Sequence, residues 1–231
     1  MKITWIEHSC FAVEAGSKKI VIDPFCLDEN RLEMICKADI ILLTHGHGDH
    51  IGLLDKIYTK ETIVVANFEI CNVLAKRGMQ TFDMNLGGSV LLDSIEIVMV
   101  KADHSSCIDV DGQNHYAGLA CGYIIKYNDL CLYHAGDTSA FLDMKLINEL
   151  YAPQIGLIPI GGRYTMDIQA AIYVCNNFFN FDVIIPMHYD TFPIIKADPS
   201  LFAKEINRGK VKILNRFETF TLYSKQENAN P

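Results

Sequence analysis

Long apolar runs are missing from this sequence. No segment reaches the roughly 18 consecutive apolar residues that a membrane helix requires, and the opening Met1-Lys2-Ile3-Thr4-Trp5-Ile6-Glu7 puts a carboxylate where a signal peptide would be apolar. The chain is therefore expected to be neither embedded in a membrane nor exported by such a signal. Cationic residues are scarce: 20 lysines and arginines stand against 28 aspartates and glutamates, for a formal net charge of −8. Polynucleotide binding needs clustered Lys and Arg to neutralise phosphates, so nucleic acid is excluded as a main partner. A small anionic substrate held by one or two local cations is not excluded. The eight cysteines include no CxxC pair. Thiols scattered through apolar segments read as small hydrophobes in a reducing, cytoplasmic compartment, not as zinc ribbons or redox pairs. No Pro/Ser/Gly-rich linker, low-complexity tract or internal repeat interrupts the chain before a polar tail at 225–231. Half of the residues are hydrophobic, enough for one sizeable core, so 1–224 is expected to form a single domain.

What is present is an interleaving of strand and helix patterns. Residues 3–6, 10–13 and 19–22 are β-branched or aromatic-rich, with Ala15-Gly16-Ser17 as a turn, which predicts a meander at the start. The run 39–44, apolar without a break from Ile40 to Leu43, reads as a strand buried on both faces. Beyond it, helices are expected at 67–77, 141–150 and 168–179, and strands at 89–92, 95–101, 120–127, 130–134, 155–159 and 183–186. The segment around His115 is expected to be an exposed loop. Strand-rich and helical segments mixed from end to end predict an α/β layered protein with sheet packed on sheet and helices outside.

The strongest chemical signal is His45-Gly46-His47-Gly48-Asp49-His50, four ligand-type residues in six positions, with glycines that let a tight loop turn. Three more follow apolar strands: His104 after 95–100, Asp137 after 130–133, and His188 after 183–187. Polar groups at strand ends collect on one rim of a sheet, where active sites of layered α/β proteins sit. Seven ligands suffice for two metals and are too many for a closed structural zinc site. Imidazole and carboxylate donors together suit Zn, Mn, Fe or Ni.

Together, Thr44-His45-Gly46-His47-Gly48-Asp49-His50, His104, Gly136-Asp137-Thr138 and the late His188 resemble the metallo-β-lactamase superfamily in order and spacing over nearly the whole chain. Within it, His8-Ser9-Cys10-Phe11, Asp103-His104-Ser105-Ser106, Tyr133-His134-Ala135-Gly136-Asp137-Thr138 and Ile160-Gly161-Gly162-Arg163-Tyr164-Thr165-Met166-Asp167 look like the branch of metal-dependent hydrolases related to ascorbate-phosphate lactonase. The resemblance implies a four-layer αββα sandwich. It implies that His45, His47 and His104 hold one divalent metal, Asp49, His50 and His188 a second, with Asp137 between them. The ions, Zn or Mn with Fe and Ni as further options, would share a hydroxide that attacks an ester-like bond, a lactone or phosphodiester, of a small substrate. The third metal histidine of β-lactamases and thioesterases usually follows Thr-Pro-Gly; here Lys101-Ala102-Asp103 precedes His104. A mononuclear-iron oxidoreductase resembling persulfide dioxygenases is the alternative.

Further roles fall to one ligand and to residues outside the ligand set. Asp49 has a second reading, as the group that orients the hydroxide. For His134, three residues before Asp137, the readings are proton donation to the leaving group or a hydrogen bond to a ligand, with direct metal binding and plain packing as alternatives. His8 is placed facing the site by the resemblance, although Glu7 stands where that branch often has glycine. Arg163 lies in a glycine-rich loop between strand and helix, where backbone N–H groups and its guanidinium could hold a phosphate or carboxylate; a surface arginine is the alternative. Thr165 and Asp167 are expected to cap the helix that follows. A homo-oligomer is left open.

Overall fold

A computed structural model describes residues 1–223, so the tail expected at 225–231 lies outside the described residues. The described residues gather into two compact units interleaved along the chain. The first comprises Met1–Leu86, Ser105–Ala120 and Asn215–Leu222; the second comprises Gly87–His104, Cys121–Leu214 and Tyr223.

Among its described residues, the first unit holds a seven-stranded sheet in the order Thr219–Thr221, Lys2–Glu7, Cys10–Ala15, Lys18–Ile22, Ile40–Leu42, Ile63–Asn67, Thr81–Met84. The opening meander is present, its strands antiparallel and Ala15 paired with Lys18 across the Gly16-Ser17 turn. From Lys18–Ile22 onward the pairing is parallel. Ile40, Ile41 and Leu42 are all buried, as a parallel strand covered on both faces requires. The helix Phe68–Lys76 starts where Asn67 accepts a hydrogen bond from Ile70 N at 2.9 Å. It is the crossover between two parallel strands, Ile63–Asn67 and Thr81–Met84, that the sequence reading did not foresee. Ile41, Leu43, Val64, Ile70 and Leu74 pack with Ile108 and Ala117 into one core. Each fully buried Leu or Ile stabilises by about 1.5–3 kcal/mol.

The first strand is closed by residues from far along the chain. Trp5 N donates to Glu218 O at 3.1 Å and Phe217 N to Trp5 O at 2.6 Å. The buried Glu7 carboxylate accepts from Arg216 Nη1 and from Leu27 N, each at 2.7 Å. The same unit contains a hairpin, Cys107–Val110 with Gln113–Tyr116, turning through Asp111 (φ 54°) and Gly112 (φ 79°). Positive φ at both central residues is the twist-matched two-residue turn that Asp-Gly favours. His115 is exposed as expected, but it stands on a strand and not in a loop.

The second unit's sheet, among the described residues, runs Lys210–Val211, Val183–Met187, Ile155–Pro159, Leu130–His134, Cys121–Tyr127, Ile95–Lys101, Ser89–Leu92. Its chain-early strands are antiparallel and those from Leu130–His134 onward parallel. Helices Met144–Tyr151 and Ile168–Phe178 make the crossovers. Asp167 caps the latter, accepting from Ala170 N at 2.8 Å; Thr165 is no cap, because its hydroxyl donates to Met166 O at 3.3 Å. Tyr133 stacks on Phe179 (centroids 5.3 Å apart) and Phe179 on Phe181 (4.5 Å). Gly156 makes room for this stack: a Cβ there would lie 2.6 Å from the Phe181 ring.

Candidate functional site

In the first unit, chemistry-bearing residues stand just past strand ends. Asp23 follows Lys18–Ile22 directly, is fully buried, and is held at φ 47°. Its Oδ1 accepts from Thr44 N at 2.8 Å; its Oδ2 accepts from Thr44 Oγ1 at 2.7 Å and from His50 Nδ1 at 2.8 Å. That last bond places the His50 proton on Nδ1 and the lone pair on Nε2, the arrangement by which a carboxylate orients a metal-binding imidazole. Since the single Thr44 hydroxyl proton goes to Asp23, His45 Nδ1 at 3.0 Å must donate to Thr44 Oγ1, leaving the His45 lone pair on Nε2. His45 Nε2 in turn lies 3.0 Å from His47 Nδ1. Two ring nitrogens converging in this way, with the tautomer of the first fixed from behind, fit a borderline divalent cation.

His8 also belongs to this group. It is fully buried at φ 57°, its carbonyl accepts from Trp5 Nε1 at 3.0 Å, and its Nε2 lies 3.2 Å from Asp49 Oδ2. As the carboxylate can only accept, His8 Nε2 donates. The ring meets Phe25 and His50 edge-on, at centroid distances of 5.6 and 5.5 Å.

The loop glycines act differently from expectation. Neither Gly46 nor Gly48 has positive φ. Gly46 is needed for space: a Cβ there would sit 2.6 Å from Cys107 O, at the base of the hairpin. Gly48 opens the short helix Gly48–Ile51 with nothing within 4 Å of a Cβ.

In the second unit the ligand-type residues come from three separate places. Asp137 Oδ2 lies 3.0 Å from His188 Nε2 and 3.7 Å from His104 Nε2, with Asp137 and His188 buried. One carboxylate oxygen facing two imidazole nitrogens is likewise a donor set for a divalent cation. Backbone bonds hold the three segments together. Asp103 N donates to Thr138 Oγ1 (2.9 Å), Ser139 N to Asp103 O (3.1 Å), and Met166 N to Thr138 O (2.9 Å). Ile160 N donates to Met187 O at 3.1 Å, and a Cβ on Gly161 would collide with His188 O. His188 itself sits at φ 55°. Backbone held in this sparsely populated region clusters at functional sites.

His134 ends the strand Leu130–His134, fully buried, and its Nδ1 accepts from Gly136 N at 3.1 Å. The ring thus braces the turn that presents Asp137, with its proton on Nε2. Arg163 is exposed at φ 52°, its guanidinium 5.7 Å from the centre of the Tyr164 ring. The N–H groups of Gly162, Tyr164, Thr165 and Met166 do not take part in the cradle expected around it. Gly162 N donates to Met166 O, Tyr164 N and Thr165 N to Gly162 O, and Met166 N to Thr138 O, so these donors are spent within the unit.

Sequence reasoning missed Asp23, though its signal was the one used for the others: an acid directly after the apolar strand Lys18–Ile22, here followed by Pro24.

Comparison with known proteins gives the family. The β-lactamase superfamily domain matches residues 2–188. A UPF0173 metal-dependent hydrolase of Methanoculleus marisnigri is 39% identical over 208 residues, covering 90% of this chain and 89% of its own. Another from Chelativorans sp. is 41% identical over 227 residues, covering 93% and 96%. The structure of Igni18, a metallo hydrolase from the hyperthermophilic archaeon Ignicoccus hospitalis, is similar with a TM-score of 0.86 at 36% identity, covering 97% of this chain and 99% of that one. A likeness of that extent gives this chain the α/β metallo-β-lactamase fold expected from its sequence. The chain belongs to the UPF0173 family of metal-dependent hydrolases within the metallo-β-lactamase superfamily.

Proposed function

We propose that the protein hydrolyses an ester-like bond, in a lactone or phosphodiester, of a small anionic substrate, using two divalent ions of the Zn or Mn type. The observation that carries this is the donor chemistry of each unit: His45 and His47 nitrogens converging at 3.0 Å, His50 oriented by Asp23, and Asp137 facing His104 and His188. By motif correspondence His45, His47 and His104 hold one ion, Asp49, His50 and His188 the other, and Asp137 both. When bound, such ions supply Lewis acidity, lowering the pKa of water and countering charge on the substrate oxygen.

The chain's own groups do the rest. Asp49, anchored through Oδ2 by His8 Nε2–H, orients the attacking water or hydroxide with its other oxygen. His134, neutral with its single proton on Nε2, serves as a hydrogen-bond donor that steadies a ligand. Arg163 holds the anionic part of the substrate. The lactone reading is supported by the likeness of the His8-Ser9-Cys10-Phe11 and Gly161-to-Asp167 segments to the ascorbate-phosphate lactonase branch. A small substrate, in place of a polynucleotide, accords with the net charge of −8. A reducing, cytoplasmic setting accords with eight free thiols.

Metal analysis of the purified chain, followed by a panel of lactones, phosphodiesters, thioesters and β-lactams, tests the reading. Two divalent ions per chain are expected, with turnover of one ester class that falls at least about a thousandfold in His45→Ala and Asp137→Ala. One iron per chain together with oxygen consumption would instead establish the iron oxidoreductase, and activity surviving both substitutions would refute the mechanism.

A further inference from the structure

The loop 161–166 is fastened at both ends to ligand-bearing segments of its own unit. At one end Gly161 lies against the His188 carbonyl so closely that no Cβ fits. At the other, Met166 N donates to Thr138 O at 2.9 Å, one residue after Asp137. Between these fixed points the loop's own N–H groups close on Gly162 O and Met166 O. Its two largest side chains, Arg163 and Tyr164, are left exposed, Tyr164 at 53%. No acidic partner among the described residues holds Arg163; its guanidinium lies over the Tyr164 ring instead. Its backbone is kept at φ 52°, a conformation non-glycine residues avoid unless their surroundings impose it.

A guanidinium stacked on an aromatic face keeps its N–H edge available for a planar two-point contact with a carboxylate or phosphate. The ring beneath it loses none of its capacity to cover a flat apolar group on its outer side. We infer that Arg163 and Tyr164 form a two-part recognition element for a substrate that carries an anionic group next to a flat apolar one. Arg163 contacts the anion, and Tyr164 both positions the guanidinium and packs on the apolar portion. The inference rests on the hydrolase reading for its biological meaning, since the loop is fixed beside Asp137 and His188, but it is tested without turnover.

The test is calorimetric titration of the metal-loaded full chain with methyl phosphate and with phenyl phosphate. The wild-type chain is expected to bind phenyl phosphate about tenfold more tightly. Tyr164→Phe keeps the ring and leaves both affinities within twofold. Tyr164→Leu abolishes the phenyl preference and weakens methyl phosphate severalfold, because the guanidinium loses its platform. Arg163→Ala weakens both probes about tenfold, Arg163→Lys restores only part of this, and the double variant binds methyl phosphate no more weakly than Arg163→Ala alone. Both side chains are exposed, so the variants are expected to keep the wild-type melting temperature. A phenyl preference that survives Tyr164→Leu, or an Arg163→Ala affinity within twofold of wild type, overturns the proposal. If these affinities behave as expected while no ester in the panel is turned over, the hydrolase reading fails and the recognition element stands.

Discussion

The two units supply ligand-type residues in opposite ways. In the first, His45, His47, Asp49 and His50 come from one loop, and a buried carboxylate, Asp23, orients His50 directly and His45 through Thr44. In the second, His104, Asp137 and His188 come from three distant points of the chain. They are aligned mostly by main-chain contacts: Ser139 N to Asp103 O, Met166 N to Thr138 O and Gly161 against the His188 carbonyl, with Asp103 N also donating to the Thr138 hydroxyl. Side-chain hydrogen bonds therefore orient the imidazoles of the first unit, whose loop also needs the close approach of Gly46 to Cys107, whereas backbone spacing aligns the segments of the second. Removing the orienting carboxylate of Asp23 should therefore damage the first unit, and crowding the backbone at Gly161 the second.

The sharpest break of this comparison is Gly161→Ala. The added methyl must displace the His188 carbonyl, and misplacement by about 1 Å costs roughly 100-fold in rate. Gly48→Ala in the first unit's loop meets nothing within 4 Å and is expected to keep activity within about twofold of wild type. Equal kinetic effects of the two would contradict the division. Next in size is Asp23→Asn. An amide cannot accept from every donor that faces Asp23, so His50 loses its fixed orientation. Metal affinity, read by competition with a chromogenic chelator, should drop about 10- to 100-fold; unchanged affinity would remove Asp23 from the site.

Buried thiols probe what the units share. Burial pushes Cys26 and Cys131 up to about 11 and Cys71 up to about 12, the first and last in the first unit and Cys131 in the second. A group whose pKa is raised on folding lends stability that is complete below its ordinary value, here about 9, and is lost as pH climbs toward the raised one. Urea midpoints should thus hold steady up to about pH 9 and fall from there to 11, with both units affected. A midpoint that rises over that interval would show the sign to be wrong.

The smallest effects concern buried hydroxyls. Thr62 Oγ1, in the first unit, donates to Ala38 O at 2.8 Å, so Thr62→Val should cost about 1 kcal/mol. The Tyr133 hydroxyl in the second is fully buried with no hydrogen-bond partner among the described residues, and burial pushes its pKa up. Tyr133→Phe should leave the melting temperature unchanged or raise it by a few degrees; a drop of several degrees would mean the hydroxyl is engaged.

The same contrast explains what was legible in the sequence. A ligand loop in consecutive residues announces itself, and His104, Asp137 and His188 were found because each follows an apolar strand. What that reading lacked was the reason the segments meet, since the fit of Gly161 against a carbonyl leaves no periodic or compositional trace. The Arg163 cradle was misjudged on similar grounds: glycines suggested available N–H groups, but the loop consumes them internally. Strands Ile63–Asn67 and Thr81–Met84 escaped because the first is a short run ending in a helix cap and the second, Thr81-Phe82-Asp83-Met84, is largely exposed. The Asp111-Gly112 hairpin was readable from its dipeptide, but its polar flanks suggested a loop.

The closure of the first strand by residues 215–222 has a consequence for how the chain reaches its native state. The edge of Lys2–Glu7 and the charge of Glu7 are made about 200 residues before their partners Phe217, Glu218 and Arg216. Until then, a strand edge and a carboxylate destined for burial wait in water. Contacts of such sequence separation slow folding and leave unpaired edges open to the wrong strand. The first unit thus closes its sheet only when segments about 200 residues apart have both been made, which makes the nascent chain, more than the finished enzyme, the form in need of protection from aggregation.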